Sequence, residues 1–552
     1  MLRFLFLTAV AVFLLAYRFY GRFQSQVYGL DEKRKTPAEE YFDGMDYVPA
    51  HPSVLLGHHF SSIAGAGPVV GPITAGALFG WLPTYLWCLV GSVFLGGVHD
   101  LGALVASIRH RGLSMGEVVE CWIGHRGKKL FLSFTWLALI LLIAVFLELA
   151  AGTFAKDPAV AFSGSLYILL ALVFGVLIYR FGLSLLACTL VMLPLVLGAV
   201  FYGSSAPWVT TLFSFGQDLS TPDGQATLLR GWRIALIVYI FLASVLPVWL
   251  LLQPRDYLAS YLLYFSVALG TLGMLFGNSF NVRLPAVIGL YTPKGDFLWP
   301  MLFVVVACGA ISGFHALVGS GTTSKQLRRE KDALFIGYGG MLIEGLVAVV
   351  ALGTLMIAEL PPGGAVNPLA VYGAGIGRFA GLLGIDPRVG ASLGLLALNS
   401  FILTSLDTAT RLARYQLQEF FDMKVDRYTA TATGVGAALF LVFFRTQGKA
   451  AWQLLWPLFG ASNQLVAALA LLAMAVWVRR GLGKNVAFLL VPMGFMFITT
   501  LAALLLLIRS GWGHPLLGGT PLVLLGLALL LAWEARQALG SSALPHAGAE
   551  KG

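Results

Sequence analysis

Fifteen apolar runs, each about as long as a bilayer is thick, follow one another along this 552-residue chain. An α-helix needs about 20 apolar residues to cross the hydrocarbon core. By that measure helices are expected at 3–20, 53–79, 83–108, 129–152, 162–180, 182–202, 232–252, 256–279, 299–322, 333–358, 389–410, 429–446, 450–478, 485–508 and 516–534. The runs are continuous and do not alternate at period two, which argues against a β-barrel. Hydrophobic residues make up 58% of the chain and charged residues 11%. A soluble protein carries about a quarter charged residues, so the chain reads as an all-α polytopic membrane protein.

Charge and motif content narrow the class further. The net charge of +10 comes from Lys and Arg in short loops between runs. Such a distribution encodes membrane topology, and no nucleic-acid partner is expected. With the N-terminus outside, most of the 36 Lys and Arg fall in inner segments, so an N-out, C-in orientation is expected. Tyr17-Arg18-Phe19-Tyr20 follows the first run in place of a small-residue cleavage site, and residues 3–20 read as a retained helix. Cys88, Cys121, Cys188 and Cys308 show no CxxC spacing, and no Walker loop supports ATP-driven pumping. No enzyme constellation is present. One transmembrane domain over 1–537 is expected, with loops at 21–52, 203–231 and 359–388 and a disordered tail at 538–552.

Three runs are interrupted by helix breakers. In His58-His59-Phe60-Ser61-Ser62-Ile63-Ala64-Gly65-Ala66-Gly67-Pro68-Val69-Val70-Gly71-Pro72, the prolines remove helix donors and clash with the preceding turn. Each glycine costs about 1 kcal/mol against alanine. Unwound backbone within a membrane is tolerated only against protein or a wet cavity, and secondary transporters use such breaks to hold solutes and ions. The second interruption spans Cys308-Gly309-Ala310-Ile311-Ser312-Gly313-Phe314-His315 and on to Gly321-Thr322-Thr323; the third is Trp456-Pro457-Leu458-Phe459-Gly460-Ala461-Ser462-Asn463-Gln464. Close helix packing through small residues is the better account of single glycines, whereas the first segment as a whole reads as a break.

Ionisable side chains at membrane depth are functional candidates by default. They are His58, His59, His99, Asp100, Glu148, His315, Glu344 and Asp407. Arg411 follows Asp407 by four residues and is placed to pair with it on one helix face. The candidate substrate or ion ligands are His58, His59, Ser61, Ser62, Gly65, Gly67, Ser312, His315, Thr322 and Asn463. The candidate coupling groups are Asp100, Glu344 and Asp407, with His315 able to relay a proton. A sodium ion would instead take carbonyls of the 65–71 break and hydroxyls such as Ser61, Ser62, Thr404 or Thr408. A metal bound by His58 or His59 with His315 and a carboxylate is an alternative use of the histidines. No other cofactor is expected. Neutralising Asp407 or His315 is expected to abolish gradient-driven uptake while leaving folding intact.

The interrupted runs resemble the signature of the carbon starvation protein A (CstA) family. The likeness rests on Gly57-His58-His59-Phe60 with Ile63-Ala64-Gly65-Ala66-Gly67-Pro68-Val69-Val70-Gly71-Pro72. It continues in order through Tyr17–Gly21, Asp46–Pro49, Leu246–Leu252 with Pro254–Leu258, Ser312–Ala316, Ser320–Thr323, Phe335–Met341 and Leu455–Gly460, from about residue 15 to about 480. By this resemblance the chain is expected to depart from long members in a helix they carry before Tyr17 and in a shorter 359–398 region. The resemblance implies a bacterial or archaeal inner-membrane secondary transporter, associated with peptide uptake under carbon starvation and, in some members, with proton-coupled pyruvate uptake. It also implies the five-plus-five inverted-repeat core of the amino-acid/polyamine/organocation transporters, with the breaks at 58–72 and 309–322 as counterparts. The expected partners are a small-molecule carboxylate or peptide and the lipid bilayer. A membrane-embedded nutrient sensor is the alternative reading.

Overall fold

The structure, a computed structural model, describes residues 1–540 except 45–46, 248–249, 278, 293–294, 361–365, 444–450 and 513–514. Every regular element among them is a helix. In chain order the principal ones are α1 (Leu2–Tyr28), α2 (Pro52–Ile63), α3 (Gly67–Phe79), α4 (Trp81–Arg109), α5 (His125–Lys156), α6 (Pro158–Tyr179), α7 (Leu185–Ser205), α8 (Pro222–Val245) and α9 (Leu252–Phe276). There follow α10 (Leu298–Val305), α11 (Gly313–Gly321), α12 (Leu334–Met356), α13 (Pro368–Gly381), α14 (Pro387–Phe420), α15 (Arg427–Phe443), α16 (Ala451–Gly481), α17 (Ala487–Ser510) and α18 (Pro515–Gly540).

Helix starts follow from local chemistry. Asp157, Asn367 and Asp386 each accept backbone N–H groups of the next turn, and each is followed by proline at the first helical position. The side chain satisfies orphan donors there, and proline's fixed φ suits the first turn. Eleven helices among the described residues are long and apolar enough to span a membrane, and a twelfth span arises if the bent pair α2–α3 counts as one. Four of the fifteen expected spans thus take other forms. The 53–79 run is that bent pair, 182–202 is α7 with its shorter apolar stretch Leu185–Ala199, 299–322 splits into half-length α10 and α11, and 429–446 is the 17-residue α15.

Two further expectations are corrected. The loop expected at 359–388 contains α13, which packs along α14 in a helical hairpin. The third interrupted run is no break: α16 continues through Pro457. Pro457, six residues after the first residue of α16, costs the helix one intrahelical hydrogen bond, and burial of its apolar stretch on all sides outweighs that loss. Of the tail expected at 538–552, residues 538–540 close α18 and 541–552 lie outside the described residues.

The apolar stretch of α16 is buried all round, as expected of a helix hydrophobic on every face. It forms the bundle's axis, with α4, α5, α10, α11, α17 and α18 against it. By contrast α1, α8, α17 and α18 have mostly unburied apolar stretches and lie at the periphery. Small residues set the central contacts. Gly460 of α16 lies on the Val304 carbonyl, and Gly313 of α11 on Val466 and the Asn463 backbone. Such closeness is how transmembrane helices gain van der Waals contact without a hydrophobic driving force between them.

Candidate functional site

The first break is real. α2 and α3 meet at a 46° bend over Ala64–Ala66. Gly65 lies against Ser405 and Phe146, and a Cβ on Gly67 would fall within the Cys308 side chain. Gly71 lies on the backbone of Val305 and Val306. The two breaks therefore cross each other at the centre of the bundle, and their glycines are there to let main chains touch. Ser61 and Ser62 both donate to the His58 carbonyl (3.1 and 2.9 Å), and the Ser62 carbonyl accepts from Ser405 Oγ at 3.1 Å. These two hydroxyls are spent within their own helix.

This contact makes a prediction. Gly67→Ala is expected to cost about 1–3 kcal/mol through overpacking, and Cys308→Gly in the same chain is expected to restore much of it. Thermal unfolding in detergent measures both. Additive losses would show that Gly67 is not held by Cys308.

At the second break α16 supplies the hydrogen bonds that the unwound segment lacks. Asn463 Oδ1 accepts from Phe314 N at 3.0 Å, and its Nδ2 donates to Ser312 Oγ at 3.0 Å. It thereby caps α11. Gln464 Nε2 donates to the carbonyls of Phe303 and Val306, and Trp456 Nε1 to that of Val305 at 3.3 Å. From α4, Ser92 Oγ donates to the Gly309 carbonyl at 3.2 Å. Buried main-chain groups must be satisfied, and here side chains do it. Ser312 and Asn463 are thus engaged with the break itself.

His315, two residues into α11, organises a buried ionisable chain. Its Nδ1 lies 2.8 Å from Asp100 Oδ2, and its Nε2 lies 3.3 Å from Glu344 Oε2. Asp100 Oδ1 lies 2.7 Å from His99 Nδ1. All four side chains are buried. Three helices converge here: α4 brings His99 and Asp100, α11 His315 and α12 Glu344. Neither Glu344 oxygen takes part in a hydrogen bond.

A second cluster lies on α9. The Arg255 guanidinium is fully buried and contacts Asp407 of α14, Asp256 Oδ1 at 3.0 Å and Tyr239 Oη at 2.6 Å. Asp256 Oδ2 in turn lies 3.3 Å from His58 Nδ1. The Asp407–Arg411 pairing expected from sequence is replaced by Asp407–Arg255. Arg411 instead donates to the Ala243 and Leu246 carbonyls at the end of α8. Sequence reading missed Arg255 because it stands at the junction of two apolar runs, where a basic residue looks like a loop residue. The adjacent Asp256 was the available signal, since Arg and Asp side by side at such a junction can pair. Glu148 meets Arg233 in a separate pair at 2.5 Å.

Beside His58 opens a cavity of about 510 Å³, lined also by Gly57, Tyr257, Ser260, Tyr261 and Tyr264. His58 Nε2 has no hydrogen-bond partner. The adjacent His59 points elsewhere: its Nδ1 is 2.8 Å from Thr323 Oγ1 and its ring lies on Gly340, one turn before Glu344. Thr322 lines a smaller space of about 50 Å³ that also touches His58. Gly65, Gly67, Ser312, His315 and Asn463 line neither space. Among the described residues no group of three His, Cys, Asp or Glu side chains is placed to hold a metal ion.

A polytopic helical bundle with two crossed breaks, a buried chain of carboxylates and imidazoles, and a cavity ending on a histidine has the features of a membrane transporter. The chain belongs to the carbon starvation protein CstA family, whose sequence model matches residues 2–373 and 360–503. It is 33% identical to the peptide transporter CstA of Bacillus subtilis (strain 168), covering 92% of this chain and 91% of that protein. It is 32% identical to the pyruvate/proton symporter BtsT of Escherichia coli (strain K12), covering 91% of this chain and 80% of that protein. Among solved structures, an Eremococcus coleocola manganese transporter variant aligns over 88% of this chain and 94% of its own, with a TM-score of 0.46 and 13% identity.

Proposed function

We propose that this chain imports a short peptide or a small carboxylate such as pyruvate across the inner membrane, in symport with protons, as part of the response to carbon starvation. The observation that carries the reading is the Glu344 carboxylate, free of hydrogen bonds at the end of the His99–Asp100–His315 chain. A proton can be taken up there without breaking an existing hydrogen bond. His59, packed on Gly340 one turn before Glu344 and next to His58 in sequence, links this chain to the cavity side. The names of the relatives favour the same substrates, a peptide and pyruvate.

The cavity falls within the roughly 300–1,000 Å³ range of small-molecule sites. Its volume suits a short peptide and exceeds what a three-carbon acid fills. His58, held by Asp256, presents Nε2 for a substrate carboxylate, and the hydroxyls of Tyr257, Tyr261 and Tyr264 offer further donors. The crossed breaks support the reading of α2–α3 and α10–α11 as paired discontinuous helices of an inverted repeat. The basic loops support an orientation with the N-terminus outside and the C-terminus in the cytoplasm.

Counterflow and uptake in liposomes, with a panel of carboxylates and peptides and with pH and sodium gradients varied independently, test the proposal. An acidic-outside gradient is expected to drive accumulation of a carboxylate-bearing solute, and a sodium gradient alone is not. The reverse result refutes proton coupling. His58→Gln is expected to raise the KM about tenfold or more, the effect of losing one charge-assisted hydrogen bond, with expression unchanged. An unaltered KM would remove His58 from the binding site.

A further inference from the structure

The end of the bundle that carries the basic loops holds a second concavity, separate from the substrate cavity. It measures about 370 Å³ and is lined by Arg34, Lys35, Arg109 and Arg111, with Glu40 as its acidic member and His110 beside them. We propose that this pocket is a binding site for a phosphate-bearing anion. It lies where α1 ends at Tyr28 and α4 at Arg109, so the same chemistry is open to a dissolved phosphate and to the headgroup of an anionic phospholipid.

Topology accounts for basic residues at this end of the bundle, but not for how these are placed. Arg109 and Arg34 are fixed by the buried Glu330, at 2.5 and 2.9 Å, and Arg109 also donates to the Tyr28 and Gly29 carbonyls. Glu330 thus cancels part of their charge while holding both at the rim. Arg111 and Lys35 have no carboxylate within ion-pair distance among the described residues. Arg111 also sits on left-handed backbone, at φ +60°, directly before Gly112 at +70°. A side chain there is strained where glycine would not be. Strain of this kind marks candidate functional positions. The turn is pinned by Tyr47 Oη, which donates to the Arg111 carbonyl at 3.1 Å, and by Gly112 N, which donates to the Ser107 carbonyl at 2.8 Å.

His110 contributes shape and not charge. Its Nδ1 faces the Ala106 carbonyl at 2.6 Å, and its Nε2 accepts from Trp122 Nε1 at 2.7 Å. Burial, with the Arg109 guanidinium adding to it, holds its pKa below the usual imidazole range. With Glu330 and Glu40 against four cations, the pocket keeps a surplus of about two positive charges, which matches a phosphate group. The loop that brings Arg34 and Lys35 continues to Val48 and Ala50. Their N–H groups donate to the Lys325 and Gln326 carbonyls at 3.1 and 2.9 Å, in the wall of the substrate cavity. An anion bound here would steady that wall.

The test compares the full chain with Arg111→Gly/Lys35→Ala. Glycine takes the Arg111 backbone without strain, so the variant is expected to fold; Lys35→Ala alone, at an exposed side chain, carries the comparison should it not. In one arm, thermal unfolding in nonionic detergent is followed against inorganic phosphate, with chloride at matched ionic strength as control. In the other, unfolding is followed in nanodiscs of phosphatidylcholine with and without phosphatidylglycerol. Stabilisation of the unsubstituted protein is expected in at least one arm, with the variant needing about tenfold or more ligand for the same shift. A response to phosphate alone identifies a dissolved anion, and a response to phosphatidylglycerol alone identifies a headgroup. The proposal is overturned if neither arm stabilises the protein, or if the variant responds as the unsubstituted chain does.

Discussion

Glu344→Gln is expected to abolish accumulation of substrate against its gradient while leaving exchange between equal pools intact. The amide keeps the shape of the side chain in a site with no room to rearrange, because Glu344 is fully buried. It removes the one carboxylate of the chain that takes part in no hydrogen bond, and with it the proposed proton position. Exchange at equal pH needs substrate binding and the conformational cycle but no net proton movement, so it survives. Uptake driven by an imposed pH gradient should fall to the level of protein-free liposomes, at least about tenfold. His315→Gln should give the same separation, since His315 bridges Asp100 and Glu344. If Glu344→Gln accumulates substrate normally, the proton route lies elsewhere.

Arg255→Met is expected to fail at an earlier stage, in folding. Its guanidinium is fully buried between Asp256 and Asp407. Removing it leaves two buried carboxylates without their cation, a change that costs about 3–5 kcal/mol in buried ion pairs. For a marginally stable protein that is a large part of the total. The expected readout is low yield of monodisperse protein and a lowered unfolding temperature. Arg255→Met/Asp407→Asn should recover part of the loss, because one of the stranded charges is gone. A fully stable Arg255→Met would show that the cluster contributes nothing net to the fold. The same geometry changes the expectation for Asp407: neutralising it disturbs a structural ion cluster as well as any coupling.

The apolar runs, the two true breaks and the individual ionisable residues were legible in the sequence because each is a local signal. Hydrophobic length marks a span, Gly and Pro mark an interruption, and charge at depth is conspicuous. What could not be read locally is convergence. Asp100, His315 and Glu344 are far apart in sequence, and only the crossing of α4, α11 and α12 brings them within contact distance. The helix at 368–381 looked like a loop because Gly373, Gly375, Gly377 and Gly381 argue against helix by propensity. In the fold the first three of these glycines let α13 lie directly on Leu395, Thr354 and the Pro387 carbonyl, and packing overrides propensity. Pro457 misled in the opposite sense, since one lost hydrogen bond does not break a helix that neighbours hold on every side.

The dependence of the 303–314 stretch on Asn463, Gln464 and Trp456 has a mechanical consequence. Main chain whose hydrogen bonds are lent by a neighbour cannot slide past that neighbour without stranding polar atoms in hydrocarbon. α10, α11 and α16 are therefore tethered into one rotor, and any rocking that alternately exposes the cavity must carry all three together. Spin labels placed on α11 and α16 should keep a constant separation through the transport cycle, while either label measured against α9 should not.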